Sequence, residues 1–390
     1  MIKNFIDEEK MRKALSLLER VLEVLEQYSG IVDIENKYPE DLMNILKQEK
    51  VFAMMVESEY GGLGLDYVSA LYVLREFSRR IPALALSVFT HSQVLEYLKV
   101  SRHDLYEEIA KKVSRDGTIL ALAITEPIAG TDIKRIQTRV RGHGDGVVIN
   151  GSKSVVTNGA YADFFLVLAK GEKGDFCAVL VKSDLGVGID AVVDTIGMRG
   201  AGIARISFRD INVPREYLLE VGRDVIRNLF HILSLGRMFT ASMALGVLDT
   251  ALSEIFKWAS TREVLDKKLI EYENVRQEVA DIAAQAEILW THLIGTAKRA
   301  EEGKDISYDA AILKFKSSEL AKQAVDLASR LFGSHGYLRG TIIDRIYRDV
   351  KGLEFIEGAN EALKAYVFKT LYKRFNKNAN LLRVLGEDFE

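Results

Sequence analysis

Cysteine is nearly missing from this sequence, with Cys177 alone among 390 residues. A single cysteine excludes an intramolecular disulfide and a thiolate metal cluster, and within a β-rich run it reads as a half-buried packing residue. His91, His103, His143, His231, His292 and His335 are nowhere three or four residues apart, so no helical pair is offered to zinc and no metal is expected. No Gly-x-Ser-x-Gly elbow occurs, which argues against serine-hydrolase chemistry. The dinucleotide fingerprint Gly-x-Gly-x-x-Gly between a strand and a helix is also missing, so a nicotinamide-binding Rossmann domain is not indicated. Positive charge is not in excess either: the formal net charge is −3, which removes the main driving force for non-specific nucleic-acid binding and leaves a small molecule as the expected partner. Residues Met1 to Lys13 are charged and lack the apolar core of a secretion signal, and no uninterrupted apolar run reaches bilayer length. A cytoplasmic protein without membrane insertion is the expectation.

What is present is a core. Hydrophobic residues make up 48% and charged residues 28%, as in globular rather than disordered chains. A chain of 390 residues exceeds the size at which one core stops growing, so two or three subdomains are expected. Glycine and proline mark them. Fifteen of the 29 glycines lie between Gly117 and Gly222, and no proline follows Pro214. Glycine favours turns and proline breaks helices, so residues 117–222 should be a β domain, flanked by a helical domain over 1–116 and a helical bundle over 223–390.

Apolar spacing agrees with this division. Leu15, Leu18, Val21, Leu22 and Leu25 recur at helical intervals, and the helical pattern breaks at the Tyr60–Gly64 loop and at Pro82. Short β-rich runs follow at Ile119–Ile124, Val147–Ile149, Phe164–Leu168, Ala178–Val181 and Ala204–Phe208. The stretch from Arg141 through Gly151 predicts two hairpin turns in succession. Four helices are expected beyond, at about Asp224–Ser260, Glu273–Glu302, Tyr308–Phe332 and Glu361–Phe375. The first is apolar on nearly all sides between Met243 and Leu248, so neighbouring helices must cover it.

Two loops in the β region carry possible chemistry. Ile124-Thr125-Glu126-Pro127-Ile128-Ala129-Gly130-Thr131-Asp132 leaves a strand through small polar residues, offering backbone N–H groups and hydroxyls to a polar ring edge or a phosphate. Gly151-Ser152-Lys153-Ser154-Val155-Val156-Thr157-Asn158-Gly159 closes another strand and presents the Thr157 hydroxyl. Each alone is equally well read as a turn.

Together and in this order the loops resemble the acyl-CoA dehydrogenase family, whose Thr-Glu-Pro-x-x-Gly-(Ser/Thr)-Asp and Ile-Thr-Asn segments embrace a flavin ring. Gly197-Met198-Arg199-Gly200 is similar to the family's Gly-x-Arg-Gly, and Phe208 to Pro214 to its strand ending in Val-Pro. Gly236-Arg237 with Ala244-Leu245-Gly246, Arg262, Leu331 to Tyr337, Tyr347-Arg348-Asp349 and Glu357-Gly358 follow at family-like intervals. The likeness runs from about Tyr60 to the end.

The resemblance implies an α+β, mostly α fold: a helical N-terminal domain, a β-barrel-like middle domain and a C-terminal four-helix bundle. It implies α,β-dehydrogenation of an acyl-CoA thioester to the trans-2-enoyl-CoA, with FAD as cofactor and an electron-transfer flavoprotein as acceptor. Glu357 matches the catalytic base that removes the α proton, and its own N–H would be one donor to the thioester oxygen. Outside the motif, Glu357 would pass for an exposed loop residue. Ile124, Thr125, Thr131 and Thr157 match positions at the flavin, and Arg262, Arg330, Gly333, Asn360 and Glu361 positions toward the rest of FAD. Thr131, Arg237 and Gly358 match substrate contacts, although Arg237 is equally readable as a helix-surface ion pair. Arg262 would reach the pyrophosphate of a neighbouring subunit, which implies a homodimer or homotetramer.

The sequence also departs from the family. Val155 stands where tryptophan usually covers the flavin, Leu265-Asp266 replace Phe-Gly, Glu273 and Arg330 replace glutamines, and Ala359 replaces threonine. Most of these changes fall on the phosphate and adenine half of the cofactor, where Asp266 would repel a pyrophosphate and Arg330 would offset it. Two other readings therefore remain open: a flavin-dependent oxidase or monooxygenase of the same fold, and a non-catalytic acyl-CoA or protein-binding relative with a weakened FAD site.

Overall fold

The first helix begins where the sequence supplies a cap. Asp7 accepts hydrogen bonds from the N–H groups of Glu9 and Lys10 at 3.0 and 3.1 Å, and α1 runs over Glu8–Glu35. Its buried stripe is Ala14, Leu17, Leu18, Val21, Leu25 and Val32. Leu15, placed on that stripe by spacing alone, is 50% exposed, because Leu17 and Leu18 already fill the contact. The computed structural model describes residues 5–378. Residues 1–4 of the charged N-terminal segment, and the ends of the first and third expected domains, lie outside the described residues.

Four helices complete the N-terminal part: α2 (Glu40–Gln48), α3 (Tyr67–Arg80), α4 (Pro82–Ser101) and α5 (His103–Asp116). Pro82 occupies the first turn of α4, where a missing N–H costs nothing, so it separates α3 from α4 by a single residue. Every residue of α4 from Pro82 to Leu95 is buried. Such a helix must be enclosed on all sides, and α3, α5, the sheet and the C-terminal bundle enclose it.

The middle of the chain forms one mixed eight-stranded sheet. Its strands are β1 (Leu120–Ala123), β2 (Arg139–His143), β3 (Gly146–Val156), β4 (Phe164–Lys170), β5 (Phe176–Lys182), β6 (Gly188–Val192), β7 (Ala204–Pro214) and β8 (Leu218–Val221). The order is β6-β7-β3-β2-β4-β5-β8, with β1 parallel to β4 through the Leu120/Phe164 register. Cys177, on β5, is buried outright rather than by half.

Only one of the two hairpin turns expected after Arg141 is a turn. The chain reverses at Gly144-Asp145 between β2 and β3, whereas Asn150-Gly151 lies inside β3 at a shift in its register with β7. There the Asn150 side chain pairs with Asp210 at 2.9 Å in both directions. A Cβ on Gly151 would lie 2.5 Å from Thr138 Oγ1, so the strand bulges at its glycine and continues.

The C-terminal part comprises α6 (Arg223–Ala259), α7 (Glu273–Glu301), α8 (Ser307–Phe332), α9 (Ile342–Leu353) and α10 (Asn360–Asn378). Helix α9 is one more than expected, and it carries Tyr347, Arg348 and Asp349. Among the described residues, α6 is the one helix long and apolar enough to cross a bilayer, but 83% of its apolar window is buried inside the protein. Gly246 explains part of that burial: a Cβ there would sit 2.3 Å from the Arg75 carbonyl oxygen, so α6 and α3 touch backbone to backbone. Ser242 Oγ and Thr250 Oγ1 then donate to the carbonyls of Leu71 and Arg79 on α3, at 2.7 and 3.1 Å.

Candidate active site

Helix α9 stops at Leu353, and a tight turn leads into α10. The N–H groups of Phe355 and Ile356 both reach the Gly352 carbonyl, and Asn360 N reaches that of Glu354. This turn forces Glu357 to φ 58° and Gly358 to φ 105°. A glutamate in the left-handed region is uncommon and costs free energy unless its surroundings hold it there. Lys314 of α8 supplies the hold. Its Nζ is fully buried and donates to the carbonyls of Glu354 and Gly358 at 3.1 and 2.7 Å and to Asn360 Oδ1 at 2.8 Å. Burial pulls the Lys314 ammonium down to about 7, a shift that the nearby Glu357 carboxylate opposes.

The Glu357 side chain points inward between α4 and α6. Its Oε2 accepts from Gln93 Nε2 at 3.1 Å, while Arg237 Nε donates to the Glu357 carbonyl oxygen at 3.2 Å. Gly236 makes the room, since a Cβ there would lie 2.4 Å from Glu357 Oε2 and 2.3 Å from Gln93 Nε2. Burial raises the Glu357 carboxyl to about 7, against the opposing pull of Arg237, the Gln93 amide and Lys314. A desolvated carboxyl poised near neutrality has the properties of a general base. The Glu357 N–H takes no backbone partner among the described residues, although Ile356 and Gly358 on either side do. It is therefore available to a developing oxyanion.

The two loops of the β domain are braced from within. Lys153 and Glu126 form a buried ion pair at 2.8 Å, and Lys153 Nζ also donates to the carbonyls of Ile124 and Leu168 at 2.9 and 2.7 Å. Glu126 accepts further from the Gln137 and Thr138 N–H groups and the Thr138 hydroxyl. Desolvation opposes its ionisation, but Lys153 and Thr138 outweigh that and hold the carboxyl below its usual range. The glutamate of the Thr-Glu-Pro segment is thus a structural anchor. Ser154 N bonds the Thr125 carbonyl at 2.9 Å, and Asn158, at φ 62°, donates to the carbonyls of Ser87 and Leu120 at 2.9 and 3.1 Å.

With these backbones fixed, the half-buried Thr125 and Thr157 hydroxyls and the exposed Thr131 hydroxyl take no hydrogen bond among the described residues. That donor set fits the polar edge of a flavin ring. The phosphate half is different. Arg330 pairs with Glu278 at 2.5 Å instead of compensating Asp266. Asn360, expected at the cofactor, is buried with its amide engaged by Lys314 and Ser318. Glu361 is exposed at the start of α10. Leu265 and Asp266, both at positive φ, form the tip of a two-residue hairpin between β9 (Glu263–Val264) and β10 (Lys267–Lys268). Arg262, at the base of that hairpin, lies 6.0 Å over the Trp258 ring, which stacks on Phe332 at 4.6 Å beside Gly333. Arg237 is half-buried and makes no ion pair among the described residues, so the surface-pair reading of it fails.

Gln93, Gly236 and Lys314 were not marked as site residues by the sequence patterns. A glutamine and a lysine inside otherwise apolar helical runs were the available signals, because such groups are buried only with partners.

The chain is matched over nearly its whole length by three models of one family. They are the acyl-CoA dehydrogenase N-terminal domain over 8–112, the middle domain over 121–211 and the C-terminal domain over 224–372. The chain belongs to the acyl-CoA dehydrogenase family. It is 26% identical to the 3-(aryl)acrylate reductase of Clostridium sporogenes, over 90% of this chain and 94% of that one. It is 23% identical to the caffeyl-CoA reductase-Etf complex subunit CarC of Acetobacterium woodii, over 94% and 97%. The butyryl-CoA dehydrogenase structure from Megasphaera elsdenii superposes with a TM-score of 0.87 at 24% identity, covering 94% of this chain and 99% of that chain.

Proposed function

We propose that this chain interconverts an acyl-CoA thioester and its trans-2-enoyl-CoA, with Glu357 as the base that takes or returns the α proton. The observation that carries the proposal is the Glu357 carboxyl itself, raised to about 7 and seated between Gln93 and Gly236. An α C–H is a very weak acid, so removing its proton requires the thioester oxygen to be stabilised as charge develops on it. The free Glu357 N–H suits that role, and Arg237 on the Glu357 carbonyl keeps the peptide oriented. Thr125 and Thr157 would hold the ring of FAD, Thr131 would lie near both cofactor and substrate, and Arg262 and Gly333 would face its remainder. Bound flavin supplies the hydride acceptor at the β carbon.

The name of one relative, a caffeyl-CoA reductase-Etf complex subunit, favours an electron-transfer flavoprotein as redox partner, and the word reductase in that name and in that of the 3-(aryl)acrylate reductase leaves both reaction directions open to this site. The same carboxyl that removes an α proton returns it in the reductive direction. A homo-oligomer is part of the proposal, supported by Phe368 and Tyr372 of α10 and Phe355 of the Glu357 turn, all more than half exposed.

The test is anaerobic titration of the FAD-loaded protein with saturated acyl-CoA thioesters, and of the reduced protein with enoyl-CoA. Bleaching of the oxidised flavin band in the first, or its return in the second, is expected in the parent and absent in Glu357→Gln. Arg330 held by Glu278 supports a second reading, in which FAD is lost and only acyl-CoA binding survives. A protein that binds acyl-CoA calorimetrically but takes up no FAD would establish that reading instead.

A further inference from the structure

Helix α4 contains several buried polar side chains, and most have a local structural explanation. Ser92 Oγ bonds the Val88 carbonyl one turn back, His91 Nδ1 accepts from Leu120 N, and Ser87 Oγ meets the Tyr38 hydroxyl. Gln93 has no such explanation. It is fully buried, and its Nε2 reaches out of its own helix to Ile232 O on α6 at 2.9 Å and to Glu357 Oε2 at 3.1 Å. Its Oε1 has no partner. An apolar side chain of the same volume would pack here without leaving a buried oxygen unbonded, so the glutamine is not explained by stability. Its orientation is set by its partners: both are acceptors, and turning the amide over would put oxygen against oxygen twice.

We infer that Gln93 is a positioning residue for Glu357. One amide hydrogen is tied to the Ile232 carbonyl of α6, and the other holds Oε2 of the base in the clearance left by Gly236. The carboxyl then has one oxygen fixed, and Oε1 remains to take the α proton. This inference rests on the reading of Glu357 as the base. The other charged and titratable groups that bear on Glu357 are Arg237 from α6 and Lys314 from α8. Glu354 in the same turn, and Glu361 and Tyr366 on α10, act on it through those two cations. None of them binds Oε2, so loss of Gln93 leaves that oxygen without a hydrogen-bond donor.

The test compares Gln93→Leu, which keeps volume and loses the donor, with Gln93→Asn, which keeps the amide but shortens its reach. The Gln93 N–H favours the ionised carboxyl, so its removal should raise the midpoint of the rise in flavin-reduction rate with pH by about one unit, slowing reduction about fivefold at neutral pH. The same midpoint is read without turnover from the carbon-13 resonance of the Glu357 carboxyl in glutamate-labelled protein, assigned by its loss in Glu357→Gln. A parallel upward shift in both measurements supports the inference. A resonance that titrates unchanged in both variants overturns it, even if the variants are less stable. If Gln93→Leu does not fold, Gln93→Asn decides by the same resonance. Should Glu357→Gln still reduce flavin, the assignment of the base fails, while the resonance still reports on the Gln93 contact.

Discussion

Arg237 meets Glu357 at its carbonyl oxygen, not at its carboxylate, with Nε 3.2 Å from the backbone. A guanidinium paired directly with the carboxylate would hold it ionised at low pH. Placed on the peptide instead, Arg237 orients the residue while desolvation keeps the carboxyl up at about 7.

The first prediction concerns stability. The folded protein holds the Glu357 proton to about 7, whereas the unfolded chain releases it near the ordinary value of 4.5. Ionised Glu357 therefore disfavours folding. The penalty is absent below the unfolded value, grows through the interval and is complete above the folded one. Glu357→Gln should melt at a higher temperature than the parent at about pH 8, with a gain of up to about 3 kcal/mol that vanishes toward about pH 4.5. Calorimetric melting of both proteins across this range checks the slope, and a constant difference would contradict it.

Gly236→Ala should be disproportionately damaging. Its Cβ would enter the positions of Glu357 Oε2 and Gln93 Nε2, so one of them must leave. Flavin reduction should slow by about a hundredfold, the usual cost of misplacing a reacting group by an ångström. Flavin content and melting temperature should change much less. Stopped-flow reduction and a flavin-to-protein ratio measure the two separately.

Lys153→Met should act at the other end of the site. It leaves Glu126 buried and unpaired and frees the Ile124 carbonyl, at a cost of about 3–5 kcal/mol. Flavin affinity should fall with stability, because this ion pair braces the loop carrying Thr125. Replacing both members by Met and Val should recover part of the stability, as measured by denaturant melts.

The domain order could be read in the sequence because glycine and proline are physically uninterchangeable with helix formers, and Met243–Leu248 could only be a helix interior. Glu357 was singled out through its motif, and the structure seats its carboxyl against Gln93 and Gly236. Gln93 was not: its role depends on α4 meeting α6 and the α9–α10 turn, a contact between residues 264 positions apart in the chain. The fate of Arg330 was hidden for the same reason, since Glu278 lies on a different helix. Local pattern also misplaced Leu15 and read the Gly151 bulge as a turn, because helix rotation and strand register are fixed by neighbours that spacing does not reveal.

Helix α4 touches both the β domain and the bundle at the candidate site. Its Ser87 carbonyl holds Asn158 in the β domain, and its Gln93 side chain holds Glu357 in the bundle. Six residues of helix rise about 9 Å and turn through about 600°. The helix is thus a ruler between the Asn158 loop and the Glu357 carboxyl. A residue inserted between Ser87 and Gln93 would lengthen it by about 1.5 Å and rotate one end by about 100°. No side-chain adjustment could then satisfy both contacts, so the spacing within α4 sets the distance between the Asn158 loop and the Glu357 turn as firmly as the residues it aligns.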